Sequence, residues 1–389
     1  MTYRVMDLKE HLQNDNRPKR ILALDGGGLR GILSLSILQK IEEILRNRHG
    51  DDDNFRLCHY FDLISGTSTG AIIAAMIAIG WPVEQIIKKY MSLGKSVFKK
   101  SLFRQGLLRA KYDEVKLIDE LKSVFGKETR LSSPEVLTGL LIMTKRLDTG
   151  SPWPISNNPR GKYFASRPGG IIGNSDYPLW KVVRASTAAP AYFDPETITI
   201  EKLKGHKTTT GLFVDGGVSP FNNPALQAYM YATVSGYGIG WPSGDEKLLL
   251  VSVGTGAPDP NIENSIITAK QALKALLSLM NDCATFQETM LQWMSSSPTA
   301  RNIDRELGDL NLDLIAGVPL MSYLRYNVDL SEKNVRELYP EFNDRERIKS
   351  LSAMDAPGNM ALLQKLGALA ATRDVKEADF PPVFDLPAD

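Results

Sequence analysis

Residues 20–31 read RILALDGGGLRG, and residues 61–70 read FDLISGTSTG. In each stretch a short, mainly apolar run ends in a glycine-rich turn, and an apolar segment with helical spacing follows. An apolar run bounded by glycines is typical of a buried strand. Both stretches therefore predict a buried strand, a glycine turn and a helix in succession, which is the connection that builds sheets of parallel strands.

Strand-like and helix-like segments continue to alternate along the chain. Further strands are predicted at residues 140–145, 162–166, 212–215 and 247–253. Buried strands that alternate with helices favour an α/β fold around a mostly parallel sheet. Beyond these strands, strand signals become few and helical spacing dominates. We expect an N-terminal arm (1–17), a catalytic domain (18–257) and a mainly helical C-terminal region packed on it (258–389).

The composition excludes several classes of partner and site. Of 389 residues, 46 are Lys or Arg and 45 are Asp or Glu, so the net charge of +1 gives no reason to expect a nucleic-acid polymer as partner. Two distant cysteines and four histidines give no metal-ligand cluster, and no metal or cofactor is expected. The N-terminus lacks a signal-peptide core, which favours a cytoplasmic protein with peripheral contact at the inner face of a membrane.

The first chemical signal is GTSTG at residues 66–70, a match to the G-x-S-x-G motif. A sharp turn between a strand and a helix pushes the middle side chain outward at the carboxyl edge of a sheet. The positive end of the following helix dipole then points at that side chain. Five-residue matches also occur by chance in ordinary glycine turns. The strand and helix on either side favour Ser68 as a nucleophile.

The second signal is DGGGLRG at residues 25–31. Successive glycines expose backbone N–H groups that can bind a phosphate or the oxyanion of an acyl-transfer intermediate. Gly26, Gly28 and Gly31 also fit the G-x-G-x-x-G fingerprint of dinucleotide-binding proteins, whose acidic residue should end a second strand about 20 residues later. The aspartates at 51–53 have that spacing but lie in a polar run. The oxyanion interpretation, which also accounts for the serine motif, is preferred.

Two candidates exist for the base that would activate Ser68. Asp215 ends a predicted strand and is followed by two glycines, so it would lie near the sheet edge that carries the other motifs. An ordinary turn is the alternative role, but burial can raise the pKa of such a carboxylate towards neutrality. A Ser-His-Asp triad would need His206, with Asp176 or Asp194 as acid, because no histidine follows Asp215.

Taken together, these blocks resemble the patatin-like phospholipase family. DGGGLRG, GTSTG and DGG stand in the family's order, and residues 184–193 (RASTAAPAYF) and 253–256 (VGTG) resemble two more of its blocks. The resemblance extends over roughly residues 18–257. It implies a three-layer α/β/α fold and a Ser-Asp dyad in which Ser68 is the nucleophile and Asp215 is the base.

The resemblance also implies a reaction and a regulator. The reaction is hydrolysis of fatty acyl esters of membrane phospholipids without a metal, with Gly26, Gly27, Gly28 and Arg30 lining the oxyanion hole. Some bacterial members of similar arrangement are phospholipases that cyclic nucleotides switch on in anti-phage defence, so a cyclic-nucleotide activator is a hypothesis that no residue demonstrates. A nucleotide-binding module and a lipid-binding protein without activity remain as alternatives.

The C-terminal region opens with methionine-rich helical spacing over residues 266–294. Methionine faces can meet lipids or partners, and core packing of residues such as Met280 is the preferred interpretation. Two apolar pairs are candidates for membrane contact, namely Trp293 with Met294 and Leu102 with Phe103.

Overall fold

The computed structural model describes residues 3–97, 114–190, 192–202, 207–257 and 268–388, without side chains at 268–274 and 276. The strands are β1 (Lys19–Leu24), β2 (Leu63–Thr67), β3 (Gly139–Arg146), β4 (Pro152–Ser156), β5 (Glu196–Lys202), β6 (Thr208–Asp215), β7 (Leu248–Val253) and β8 (Ser322–Tyr326). The helices are α1 (Leu8–Leu12), α2 (Gly31–Arg48), α3 (Leu57–Tyr60), α4 (Thr69–Ala78), α5 (Val83–Val97), α6 (Glu114–Phe125), α7 (Leu179–Ser186), α8 (Ala225–Thr233), α9 (Thr268–Trp293), α10 (Glu332–Leu338), α11 (Arg345–Ser350) and α12 (Met360–Asp374).

All eight strands belong to one sheet in the order β5-β6-β3-β2-β1-β7-β8, with β4 paired to β3. The five strands from β3 to β8 along this order are mutually parallel, whereas β4 and β6 run antiparallel to β3 and β5 runs antiparallel to β6. This sheet confirms the predicted α/β fold around a mostly parallel sheet.

Helices cover both faces of the sheet, and the side chains of β1 show why. Leu22 and Leu24 pack against α2, α4, α5, α7 and α12 on one face. Ile21 and Ala23 pack on the other face, against α8 and the end of α9. Because successive side chains of a strand point to opposite faces, a strand buried on both sides must be apolar throughout. The three-layer α/β/α architecture is therefore confirmed.

One predicted strand is not formed, and three strands of the structure, β4, β5 and β8, were not predicted. Residues 162–166, predicted as a strand, form turns in which Tyr163 is 58% exposed, because no neighbouring strand is available to bury this segment. Conversely, β8 in the C-terminal region pairs in parallel with β7, so the central sheet continues into a region expected to be mainly helical. None of the helices within the described ranges combines the length and apolar character needed to cross a membrane.

The N-terminal arm is fixed to the sheet by Asp62, which is fully buried just before β2. Its carboxylate accepts hydrogen bonds from His11 Nδ1 at 3.0 Å, Arg17 Nη1 at 2.9 Å and Arg20 Nε at 3.1 Å. Burial alone would raise the pKa of Asp62, but the charge of Arg20 and the bond from His11 hold it well below its usual range.

We predict that Asp62→Asn lowers the free energy of unfolding at pH 7 by about 3–5 kcal/mol, because it leaves the buried Arg20 without its counter-charge. The exposed Glu84, which pairs with the exposed Lys88, is the control, and Glu84→Gln should cost less than about 1 kcal/mol. Since the depressed pKa of Asp62 stabilises the fold only above its unfolded pKa, the difference should shrink below about pH 4. Urea unfolding of both variants at several pH values measures these free energies. An equal loss of unfolding free energy in the two variants would contradict the prediction.

Candidate active site

Ser68 lies in the tight turn between β2 and α4, with φ of 55° and ψ of −121°. This left-handed region is unfavourable for a serine and is typical of a nucleophile held at a strand-to-helix turn. The turn also demands close backbone packing. A Cβ at Gly70 would lie 2.2 Å from the Leu24 carbonyl oxygen, and one at Gly66 would lie 2.2 Å from the Gly70 carbonyl oxygen. Both motif glycines are therefore required for α4 to lie on the end of β1.

Asp215 reaches the same edge of the sheet by an antiparallel strand. The last residue of β2, Thr67, is paired with Met143 of β3, and β3 continues beyond this point. β6 runs antiparallel to the extension of β3 and ends at Asp215, which is paired with Thr144. The sequence analysis placed Asp215 at this edge as the end of one more strand of the sheet. The carboxyl end of β6 lies there because β6 runs in the opposite direction and stops level with the end of β2.

The Asp215 carboxylate is buried. It accepts a hydrogen bond from the Gly217 N–H at 2.7 Å and interacts with the neighbouring Ser68 hydroxyl. Burial raises the pKa of Asp215 to about 6, against the opposing effects of the Ser68 hydroxyl, the Gly217 N–H and the charge of Arg184. At neutral pH the carboxylate is therefore ionised, and it is a stronger base than an exposed aspartate.

Two residues at the end of α7 hold the backbone of Ser68 and of Asp215, a role that the sequence did not reveal. The Ser68 N–H donates to Ser186 Oγ at 2.9 Å, and the Ser186 hydroxyl donates in turn to the Met143 carbonyl at 2.6 Å. The Asp215 N–H donates to the Ala188 carbonyl at 3.1 Å. Both residues lie in the RASTAAPAYF block, which the sequence offered only as part of the family resemblance.

Two of the three glycines of the loop line the same pocket as Ser68. Gly27 and Gly28 line the pocket beside Ser68, and among the described residues nothing accepts a hydrogen bond from their N–H groups. The Gly26 N–H is occupied, since it donates to the Asn222 carbonyl at 3.0 Å. The side chain of Arg30 is buried outside this pocket, and burial lowers its pKa to about 10. The loop thus presents two adjacent donors to the serine.

The hydroxyl groups of two side chains donate hydrogen bonds to carbonyl groups of the glycine loop. Tyr90 of α5 donates to the Gly28 carbonyl at 2.6 Å, and its oxygen also bonds to the Thr69 hydroxyl in the first turn of α4. Thr255, from the VGTG block, donates to the Gly26 carbonyl at 2.9 Å. The loop and the serine turn are therefore held together by side chains from separate parts of the chain.

The pocket next to Ser68 contains about 890 Å³ of empty space, counting its open mouth. Its wall is mostly apolar and comes from α4, α5, the segment after α7, α9 and the C-terminal region. The apolar lining side chains include Leu29, Ile72, Leu93, Leu117, Phe193, Val218, Leu277, Met280 and Met354. Met280, expected in the core, lines this pocket instead, because α9 lies across the turns that follow β6. An apolar wall of this kind suits a fatty acyl chain.

The residues of the alternative triad are not brought together in the described part of the chain. The Asp176 carboxylate is exposed and bonds to Arg130 and Ser166. Asp194 is exposed, and His206 lies outside the described residues. Leu102 and Phe103, the candidates for membrane contact, also lie outside them. The three described histidines, His11, His49 and His59, do not line the pocket.

Comparisons with known proteins agree on one family. The family model described as patatin-like phospholipase matches residues 22–229, just over half of the chain. Patatin-17 of Solanum cardiophyllum is 30% identical over 268 residues, which cover 65% of this chain and 64% of that protein. The cGAMP-activated phospholipase of Escherichia coli (strain TW11681) is 30% identical over 212 residues, 53% of each chain.

Two further matches are a curated relative and a solved structure. The calcium-independent phospholipase A2-gamma of Rattus norvegicus is 30% identical over 69% of this chain and 32% of its own length. The solved structure of human GIVD cytosolic phospholipase A2 aligns over 93% of this chain and 60% of its own, with a TM-score of 0.43 and 12% identity. The chain spans about three fifths of the length of the two patatins that head the curated relatives.

We predict that Asp215→Asn raises the free energy of unfolding by up to about 3 kcal/mol at pH 8, because the buried charge disfavours the fold. A carboxylate with a raised pKa destabilises the folded state at high pH, so the gain should fall between about pH 6 and pH 4 as Asp215 takes up its proton. Asp194→Asn, at an exposed aspartate, should change stability by less than about 0.5 kcal/mol. Denaturant titrations at several pH values measure the free energies of unfolding of the wild type and the two variants. A lower free energy of unfolding in Asp215→Asn than in wild type at pH 8 would refute the prediction.

Proposed function

This chain belongs to the patatin-like phospholipase family, and on that premise we propose that it is a serine acyl hydrolase that cleaves fatty acyl esters of membrane phospholipids. The observation that carries the proposal is the pairing of the Ser68 hydroxyl with the buried Asp215 carboxylate in one apolar pocket. The site offers a nucleophile, a base in direct contact with it, and two unoccupied N–H donors.

In the proposed reaction Asp215 removes the Ser68 proton as Oγ attacks the carbonyl carbon of the ester. The N–H groups of Gly27 and Gly28 stabilise the oxyanion of the tetrahedral intermediate. The alcohol then leaves with the proton held by Asp215, and an acyl-serine remains. Water attacks this ester while Asp215 accepts its proton, and collapse of the second intermediate releases the fatty acid as Ser68 regains its proton.

The geometry supports Asp215 over a histidine as the base. Asp215 contacts the nucleophile directly, and its pKa of about 6 suits proton transfer near neutral pH. A dinucleotide-binding role for the glycine loop is disfavoured by its surroundings, since Gly27 and Gly28 line a mostly apolar pocket together with Ser68. A lipid-binding protein without activity would have no use for the strained turn at Ser68.

We predict that Ser68→Ala and Asp215→Ala each reduce fatty acid release from phospholipid vesicles by a factor of about 10⁴ or more, because each removes a partner of the proton transfer. His206→Ala is the control and should retain the activity of the wild type. Thermal melting of all three variants verifies that they fold. Loss of activity in His206→Ala, with survival of Asp215→Ala, would instead support a histidine triad.

Regulation by a cyclic nucleotide is a second part of the proposal, supported by the similarity to the cGAMP-activated phospholipase of E. coli. Under this proposal the phospholipase acts in defence against phage and remains slow until the nucleotide binds. We predict that a panel of cyclic di- and trinucleotides contains one that raises the hydrolysis rate of wild type at least about tenfold. A rate that no member of the panel changes would contradict this part and leave the hydrolase assignment intact.

A further inference from the structure

A second cavity lies behind the catalytic site, between β8, the end of α12 and the segment that follows α9. It contains about 960 Å³ of empty space, counting its mouth, and we call it the rear cavity. Its lining is rich in charge, unlike that of the catalytic pocket. The charged lining residues are Arg301, Arg325, Arg373, Lys376, Glu288, Asp374 and Asp379.

Several cationic groups in the rear cavity have hydrogen-bond donors to spare. Arg325 is only 8% exposed, and its Nε has no acceptor in the part of the chain that the structure describes. Lys376 is exposed and forms no ion pair with any described residue. Arg301 holds Glu288 with one side of its guanidinium group and keeps about half of its side chain exposed. Donors of this kind bind phosphate oxygens well.

A first series of hydrogen bonds connects the rear cavity to the glycine loop. Arg325 donates from both Nη atoms to Asp25, at 3.0 Å and 2.6 Å, and Asp25 directly precedes Gly26. A neighbour of Arg325 on the same cavity wall, Asn327, accepts the Gly256 N–H at 2.9 Å. Gly256 follows the threonine that holds the Gly26 carbonyl. A shift of this wall therefore moves the two anchors of the loop.

A second set of hydrogen bonds connects the rear cavity to α9. Glu288 of α9 is 7% exposed on its side chain and accepts both hydrogen bonds from Arg301, at 2.8 Å and 3.0 Å. The same helix contributes Leu277 and Met280 to the catalytic pocket. An anion that binds Arg301 competes with Glu288 for the guanidinium group, so its binding changes how α9 is held over the catalytic pocket.

We propose that the rear cavity binds a small phosphate-bearing ligand and that its occupancy is transmitted to the catalytic pocket through Arg325–Asp25 and Arg301–Glu288. Arg301, Arg325 and Lys376 line this cavity together, and such a set of cations suits a ligand with more than one phosphate oxygen. The effect on catalysis rests on the proposed hydrolase function, whereas binding itself does not.

The binding is tested by calorimetry on the full chain with three probes: a cyclic purine dinucleotide, AMP and inorganic pyrophosphate. We expect at least one probe to bind wild type, and Lys376→Glu and Arg301→Gln each to weaken its affinity about tenfold or more. Lys349→Glu, at an exposed lysine outside the cavity, is the matched control and should stay within about twofold. Binding of pyrophosphate alone would assign the site to free phosphates, and binding of a nucleotide alone would assign it to nucleotides. No binding at millimolar concentrations, or equal affinity in all variants, would overturn the inference.

The transmission is tested by the rate at which a fluorophosphonate labels Ser68 with and without the bound probe. We expect a change of about tenfold in wild type and a smaller one in Lys376→Glu at the same probe concentration. An unchanged rate with the probe bound would overturn the coupling. Ser68→Ala separates the two proposals, because it should bind the probe as wild type does. A chain that binds the probe but never hydrolyses lipid contradicts the proposed function alone, and an active chain without binding contradicts this inference alone.

Discussion

The catalytic edge depends on the contact between the first turn of α4 and the end of β1. The backbone of Gly70 lies so close to the Leu24 carbonyl that no Cβ fits between them. This contact brings the two strand-to-helix turns together, one carrying Ser68 and the other the glycine loop. The bond from Tyr90 to Gly28 and the contact of Tyr90 with Thr69 then fix the loop against the helix. Ser68 and the glycine loop are thus adjacent before any substrate binds, which is the arrangement that the proposed electrostatic catalysis requires.

Two buried aspartates at the sheet show how environment separates a structural charge from a candidate base. Asp62 is surrounded by His11, Arg17 and Arg20, and its pKa lies far below the ordinary range. Asp215 is equally buried but receives only a hydroxyl, one N–H group and the more distant charge of Arg184, so its pKa rises to about 6. The first carboxylate is locked in its ionised form and fixes the arm. The second can exchange a proton with its neighbour near neutral pH.

The features that sequence predicted are local ones. The glycine turns, Ser68 and the parallel strands around them follow from short-range patterns, and the family resemblance rested on the same blocks. The direction of β6 could not be predicted from local sequence patterns, because it depends on the pairing of Asp215 with Thr144, which lies far away in the chain. Arg325 was equally inaccessible, since it meets Asp25 across 300 residues of chain and lies in a region with weak strand signals. Ser186 was within reach of sequence reasoning but gave no sign of pointing at the Ser68 N–H.

The most direct test of the central claim is to locate the covalent adduct that a long-chain fluorophosphonate leaves on the protein. Peptide mass spectrometry of the labelled wild type, with Asp215→Asn labelled in parallel, gives both the modified residue and its extent of labelling. The account predicts a single adduct on Ser68 that forms in wild type and is strongly suppressed in Asp215→Asn, because the hydroxyl then lacks its base. An adduct on another serine, or labelling of Ser68 that is indifferent to Asp215→Asn, would contradict it.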